Sequence, residues 1–218
     1  MTVMDENQIM MENVYNMDET GFSIGTMENT HVIINSRMRK KYQVQPGRQE
    51  WVTVVECICA DGTSIPPLTI FKGENFSSGW VPKDTAYDWC FSNNSKGWTS
   101  NIHGLDWLRR CFEPATRDKA NGRVRLLICD GHNSHITAKF VYHCIQNNII
   151  LLLLPSHLSH LTQPLDVGVF GPLKKAMSAT LDRIFQTGIS CLEKVEWMQN
   201  YIDACAITLS YENIQGGW

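Results

Sequence analysis

The sequence predicts a mixed α/β domain in which helices flank a five-stranded sheet, with a three-strand antiparallel meander and two parallel strands. Three β-rich segments separated by turn signals fill the first third of the chain, a pattern typical of a meander. Further along, two short apolar runs alternate with segments of helical periodicity. A strand–helix–strand crossover joins its strands in parallel and places the helix on a face of the sheet.

The meander is predicted from residues 30–36, "THVIINS", residues 50–60, "EWVTVVECICA", and the segment "SIPPLTIFKG". The turn signal "DGT" at 61–63 separates the last two and favours a hairpin. Ahead of them, "NVYNM" at 13–17 leads into Asp18 and the turn "DETGFSIG". Asp18 is therefore expected at or next to the first strand.

The parallel strands are predicted from the middle of the chain. Residues 101–120 and 135–148 have apolar residues at helical spacing, whereas residues 74–104 show no clear period. The strand "RLLIC" has a continuous apolar centre that suits a central position, and Asp130 closes it. The run "IILLLL" at 149–154 predicts the next buried strand.

Prolines mark the predicted helices of the C-terminal part. Proline favours the first turn of a helix, so Pro164 and Pro172 indicate two separate starts, the second for a helix to about Gln186. Residues 191–209 are expected to form a last amphipathic helix.

Composition limits the class of protein. The 218 residues suffice for one sizeable domain, and the net charge of −3 gives no global sign of a nucleic-acid or membrane partner. None of the eight cysteines forms a CxxC pair, and no signal peptide is evident, so a reducing, intracellular compartment is expected. The longest apolar run is too short to cross a membrane. Local basic residues are candidate DNA contacts, although a solvated hairpin explains the first four equally well: Arg37, Arg39, Lys40, Lys41, Lys174 and Lys175.

Three aspartates fall at comparable places, at or after predicted strands: Asp18, Asp130 and Asp166. Ligands of open α/β sheets collect at the carboxyl ends of strands. Three carboxylates gathered there repel one another unless a divalent cation lies between them, and all-oxygen ligands suit Mg²⁺ or Mn²⁺. Taken singly, each acid also fits an ordinary role as a turn former or a helix-start charge.

Two pairs of histidines leave a second chemistry open. His132 and His135 are three residues apart, as are His157 and His160. Such pairs suit a zinc-dependent hydrolase that acts on small phosphoesters. Alternatively, His132, His135 and His160 orient the carboxylates or contact phosphate.

Five collinear blocks resemble the DDE superfamily endonuclease domain of pogo-like (Tigger/jerky-type) transposases, within the mariner superfamily. They run in order between residues 13 and 216: "NMDETGF", "EWVTVVECICADGTSIPPLTIFKG", "GWTSNIHGLDWL", "RLLICDGHNSHIT" and "PSHLSHLTQPLDVGVFGPLKKA". A single motif of this kind is weak, but five in order are highly specific, and "QPLDVGVFGPLK" is the most diagnostic.

The resemblance implies an RNase H-like fold and a catalytic triad carried onto Asp18, Asp130 and Asp166. It implies an endonuclease and strand transferase that cleaves and joins phosphodiester bonds with two Mg²⁺ or Mn²⁺ ions about 4 Å apart. Asp18 is expected to bridge both ions, with Asp130 and Asp166 each holding one. The implied partners are transposon ends and target DNA in the nucleus, with a homodimer in a synaptic complex.

The family's two-part design is only partly matched. No helix-turn-helix domain is evident, so residues 1–12 are expected to be an N-terminal extension and residues 13–218 a catalytic domain truncated at its C-terminus. This favours an alternative of a different class, a catalytically inactive nucleic-acid-binding protein derived from a transposon. Ser156 and Leu158 stand where the family more often has a proline and a serine, in the loop before Asp166.

Overall fold

The structure is a computed structural model that describes residues 2–24, 50–131, 137–155, 162–186 and 192–218. The strands in these residues are β1 (Val14–Ile24), β2 (Glu50–Cys59), β3 (Leu68–Lys72), β4 (Cys90–Asn94), β5 (Arg125–Asp130) and β6 (Ile149–Leu154). They form one sheet in the order β4-β3-β2-β1-β5-β6. The strands β1, β2 and β3 are antiparallel, whereas the pairs β3–β4, β1–β5 and β5–β6 are parallel.

The helices in the described residues are α1 (Val3–Asn7), α2 (Asn101–Trp107), α3 (Glu113–Ala120), α4 (Ala138–Gln146), α5 (Phe170–Gln186), α6 (Lys194–Thr208) and α7 (Tyr211–Gly217). Short 3-10 turns lie at Met11–Asn13 and Ser78–Trp80. Two π-helical turns occur as well: Leu108–Phe112 joins α2 to α3, and Leu165–Val169 runs directly into α5. Turns of this kind are rare and are often found at functional sites.

Apolar cores cover both faces of the sheet. One core contains Tyr15 and Met17 of β1 together with α2, α4 and the π-helical turn between α2 and α3. The other contains residues of the second π-helical turn, α5, α6 and α7. Because side chains alternate along a strand, Asn16 and Asp18 project from β1 towards this second face.

The sheet confirms the predicted strands β2, β3, β5 and β6, adds β4, and has β1 as the strand that pairs with β2 at the start of the meander. The added strand, β4, reads "CFSNN" and pairs in parallel with β3, without the alternating apolar pattern that marks a strand. Strand β1 is also longer than expected, since a turn was predicted after Asp18 and the strand continues to Ile24 in register with β2. The strand predicted at residues 30–36 lies outside the described residues.

One helix prediction needs correction. The chain is helical from Pro164 through α5 without interruption, so separate starts at Pro164 and Pro172 are wrong. Pro172 has no N–H to donate to a carbonyl of the preceding turn. That turn is π-helical, so its hydrogen bonds join residues five apart and the ordinary four-residue pattern is already interrupted before Pro172. The last predicted helix, at residues 191–209, is confirmed as α6, and α7 follows it as a helix that the sequence did not predict.

Strand β6 was expected to be buried and is an edge strand of the described sheet instead. Leu152 and Leu153 are each 41% exposed, whereas Ile149 is buried. The apolar run "IILLLL" therefore predicted correctly that residues 149–154 form a strand. It predicted wrongly that the whole strand is buried.

A buried carboxyl group lies on the second face of the sheet, at Glu56 of β2. Glu56 is the cross-strand partner of Asp18 and is 0% exposed. The hydroxyl of Tyr201, on α6, donates a hydrogen bond to Glu56 Oε1. Burial raises the pKa of Glu56 to about 8, although a contact from the Cys205 thiol acts in the opposite direction.

This buried acid makes the stability of the fold depend on pH. The folded pKa of Glu56 lies above its ordinary value of 4.5, so the folded state binds more protons and the free energy of unfolding falls as pH rises from 4.5 through about 8. We expect Glu56→Gln to flatten this slope, with a larger gain in stability at pH 9 than at pH 6 in urea denaturation. Glu74→Gln, at an exposed position, should keep the wild-type slope. An unchanged slope in Glu56→Gln would contradict the assignment.

Candidate active site

Asp18 and Asp130 lie at the same level on adjacent strands. Strands β1 and β5 pair in parallel up to Asn16 and Ile128. Two residues beyond this pair stand Asp18 and Asp130, and both are partly buried. Parallel neighbours at one level project to the same face, so the sheet directs both carboxylates to the face that α5 and α6 cover.

The π-helical turn Leu165–Val169 carries Asp166 to the same strand. The backbone N–H of Leu165 donates a hydrogen bond to Asn16 Oδ1 over 3.0 Å. This bond ties the residue just before Asp166 to the residue two positions before Asp18. Asp166 itself is exposed, so the arrangement is open to solvent on that side.

Two further contacts hold the turn against the protein. The side-chain nitrogen of Gln163 lies 3.5 Å from the carbonyl oxygen of Met17, the neighbour of Asp18. A Cβ at Gly168 would overlap the carbonyl oxygen of Asn213 in α7, so only glycine permits this close approach. The turn is therefore fixed on one side by β1 and on the other by the last helix.

The three aspartates interact electrostatically. The pKa of Asp18 is raised to about 8, chiefly by burial, with smaller contributions from the charges of Asp166 and Asp130. Hydrogen bonds from the backbone N–H of Glu19 and from the side chain of Gln163 act in the opposite direction. Asp18 is thus the acid that lies within electrostatic range of both others.

Glu19 is a fourth acid at this edge of the sheet. Burial raises its pKa to about 7, the charge of Asp130 adds to the effect, and the Thr99 hydroxyl lowers it. Sequence reasoning singled out Asp18 and overlooked this neighbour. The available signal was the doubled acid of "MDET", in which two successive carboxyl groups sit inside a largely buried strand.

The donor types at this edge fit a hard divalent cation. Carboxylate oxygens are the ligands that Mg²⁺ and Mn²⁺ prefer, and a cation would offset the repulsion that raises the pKa of Asp18. In the described part of the chain, however, no three histidine, cysteine, aspartate or glutamate side chains lie close enough together to hold a metal ion. The fit is therefore one of donor chemistry and charge, and binding would require the carboxylates to move closer together.

The matching family model is that of the DDE superfamily endonuclease, over residues 48–218. The chain belongs to this family. The resemblance to pogo-like transposases is confirmed by the protein named Pogo transposable element with KRAB domain, from Homo sapiens. It is 26% identical over 166 residues, which are 75% of the present DDE chain and 26% of the human protein.

A second relative is named as a transporter and not as a transposable element. The protein named MFS-type transporter clz9, from Cochliobolus lunatus, is 38% identical over 207 residues, or 94% of the DDE chain and 22% of that protein. The DDE chain thus spans about a quarter of the length of these relatives. No helix in the described ranges combines the length and the apolar character needed to cross a membrane.

Solved structures show the same fold at low sequence identity. The Mos1 transposase paired-end complex with left transposon end has a TM-score of 0.51 at 9% identity, over 94% of the DDE chain and 55% of that chain. The Mos1 mariner paired end complex with Mn has a TM-score of 0.51 at 10% identity, with the same coverage. The predicted RNase H-like fold is confirmed, with one strand more than expected.

The remaining predicted site residues divide into two groups. Lys174 and Lys175 lie exposed in the first half of α5, a few residues after Asp166. The others lie outside the described residues: His132, His135, His157, His160, Arg37, Arg39, Lys40 and Lys41. Their roles, including the alternative of a histidine-ligated zinc site, stay predictions.

Proposed function

We propose that this DDE domain is a metal-dependent DNA endonuclease and strand transferase in which Asp18, Asp130 and Asp166 hold divalent cations. The observation that carries the proposal is a pair of contacts, the parallel β1–β5 pairing and the hydrogen bond from Leu165 N–H to Asn16, which bring the segments of the three acids side by side. The acids are 36 or more residues apart along the chain, and the added effect of the Asp166 and Asp130 charges on the pKa of Asp18 supports their proximity.

The choice of cation follows from the donors. Three carboxylate donors favour Mg²⁺ or Mn²⁺ over zinc. A Mos1 complex of similar fold contains Mn, which agrees with this choice. When bound, two such ions would lower the pKa of an attacking water or 3′-hydroxyl and stabilise the charge on the leaving oxygen.

The protein's own contribution is to position the carboxylates that would hold the cations. Asp18, Asp130 and Asp166 would hold the cations, and Asp18 is the acid on which the charges of both others act. Because the attacking oxygen comes from water or from DNA, no side chain of the protein needs to act as the nucleophile. The exposed position of Asp166 leaves the edge open to a long polymeric substrate.

The proposed substrates are phosphodiester bonds at transposon ends and in target DNA. Lys174 and Lys175 would contact phosphate beside Asp166, and basic residues supply most of the non-specific affinity for DNA. Synapsis of two ends would require a homodimer, and action on chromosomal DNA would place the protein in the nucleus.

Asp130→Asn tests the proposal directly. Asparagine keeps the size of the side chain and removes the charge that a cation needs, so we expect nicking of supercoiled plasmid with Mn²⁺ to disappear. Urea denaturation should show an intact fold. The matched control is Asp118→Asn on α3, an exposed position away from the acids, which should nick like the wild type.

Two outcomes would overturn the proposal. Metal-dependent nicking by Asp130→Asn would show that this acid is not needed. The second outcome is a wild type that binds DNA in a gel-shift assay yet fails to nick it at every Mn²⁺ and Mg²⁺ concentration. That result would favour the alternative of an inactive nucleic-acid-binding protein.

A further inference from the structure

A single buried side chain connects all three segments that carry the aspartates. Asn16 is 0% exposed and lies in the middle of the sheet, on β1. Its side-chain nitrogen donates a hydrogen bond to the carbonyl oxygen of Ile128 over 3.2 Å. Its side-chain oxygen accepts a hydrogen bond from the backbone N–H of Leu165 over 3.0 Å. Both polar ends of one amide are therefore used, on two different segments.

Each of the three residues joined by these bonds lies one or two positions before one of the aspartates. Asn16 is two residues before Asp18, and Ile128 is two residues before Asp130. Leu165 is the residue directly before Asp166. One amide thus links the backbones of the three segments that hold the carboxylates, in addition to the β1–β5 strand pairing.

We propose that Asn16 is a positioning residue that ties together the backbone segments of Asp18, Asp130 and Asp166, from which their carboxylates close on a metal ion. This inference rests on the function proposed above. Gln163 also contacts β1, at the Met17 carbonyl over 3.5 Å and at the Asp18 side chain, but among the described hydrogen bonds it makes none to β5.

Chemistry explains why asparagine suits this position. Ile128 offers a carbonyl acceptor and Leu165 an N–H donor, so the linking side chain needs a donor and an acceptor on one short, planar group. Aspartate keeps the acceptor only, and leucine keeps the size alone. Replacing Asn16 by aspartate therefore removes only the bond to Ile128, whereas replacing it by leucine removes both bonds.

Asn16→Leu is the principal test, and it has a readout that does not depend on activity. Hydrogen exchange of the Leu165 amide should become faster, because the bond to Asn16 Oδ1 is lost. In isothermal titration calorimetry the Kd for Mn²⁺ should rise by about 10–100-fold, the usual effect of losing a group that orients metal ligands. Asn16→Asp retains the acceptor, so slow exchange at Leu165 should be kept.

Asn200→Leu is the matched control. Asn200 is 3% exposed, and its side-chain nitrogen donates to the carbonyl oxygen of Met177 over 3.3 Å, between α6 and α5. Its loss should destabilise the fold without changing the Kd for Mn²⁺. A general effect of breaking a buried amide bond is thereby distinguished from an effect on the acids.

The outcomes separate the two proposals. If the wild type binds Mn²⁺ and Asn16→Leu binds it equally well, the positioning role is overturned while the proposed function stands. If the wild type itself binds no Mn²⁺, both proposals fail. Should Asn16→Leu not fold, Asn16→Asp gives the decision: wild-type Mn²⁺ affinity together with fast exchange at Leu165 would overturn the role of this link.

Discussion

Asp18→Asn is expected to abolish metal-dependent nicking and, at the same time, to stabilise the metal-free fold. The folded pKa of Asp18 is about 8 against an ordinary value of 3.8, so the ionised carboxylate is unfavourable in the folded state. That penalty is absent at low pH, grows as pH rises through the window between these two values, and is complete above pH 8. A neutral amide removes it.

The stability gain should be largest at high pH. At pH 9 in EDTA, we expect Asp18→Asn to raise the free energy of unfolding by about 0.5–2 kcal/mol, the range commonly found when an unfavourable functional group is replaced. Urea denaturation measures it. Added Mn²⁺ should stabilise the wild type, because a ligand that binds only the folded state shifts the equilibrium, and should leave the variant unchanged.

The matched control for this experiment is again Asp118→Asn, which should respond to Mn²⁺ like the wild type. A loss of stability in Asp18→Asn at pH 9 would show that the ionised carboxylate is compensated within the fold. In that case Asp18 is part of an internal ion pair or hydrogen-bond network, and its assignment as a cation ligand would be contradicted.

Glu113→Ala is expected to give the largest loss of stability. Glu113 Oε2 lies 2.7 Å from Nη1 of Arg125, and the two side chains are only 5% and 4% exposed. Arg125 begins β5, the strand that ends at Asp130. Removing the carboxylate would leave a buried guanidinium without its counter-charge, which costs about 3–5 kcal/mol.

An exposed pair provides the comparison. Asp106 and Arg110 lie 2.7 Å apart on the α2 side of the same helical segment, with side chains 33% and 47% exposed. Asp106→Ala should cost only about 0–1 kcal/mol, because water screens exposed pairs. Urea denaturation of both variants at pH 7 measures the difference. Equal losses would mean that burial of the Glu113 pair has no energetic consequence.

The sequence singled out three aspartates as candidate metal ligands, which stays a prediction, and it predicted the strands around them only in part. Asp130 was evident because an apolar run followed by Asp-Gly is a local signal. Strand β1 was cut short at Asp18, because "DETGF" has the composition of a turn, and only pairing with β2 keeps it extended. Strand β4 has no local pattern at all and exists because β3 offers it an edge.

Contacts between distant segments explain what sequence reasoning missed. The side chain of Asn16 is hydrogen-bonded to the backbone of Ile128 and of Leu165, which are 112 and 149 residues away along the chain. Glu56 is accommodated inside the protein by Tyr201, 145 residues further on. A polar residue inside an apolar strand was the available signal in both cases, but its partner could not be identified without the fold.

The most direct test of the account is an anomalous diffraction map from a crystal soaked with Mn²⁺. We expect two peaks between the carboxylates of Asp18, Asp130 and Asp166, with the Asp18 carboxylate in contact with both. Manganese bound elsewhere, or held by histidines with these three acids uninvolved, would contradict the claim that the aspartates form a shared metal site.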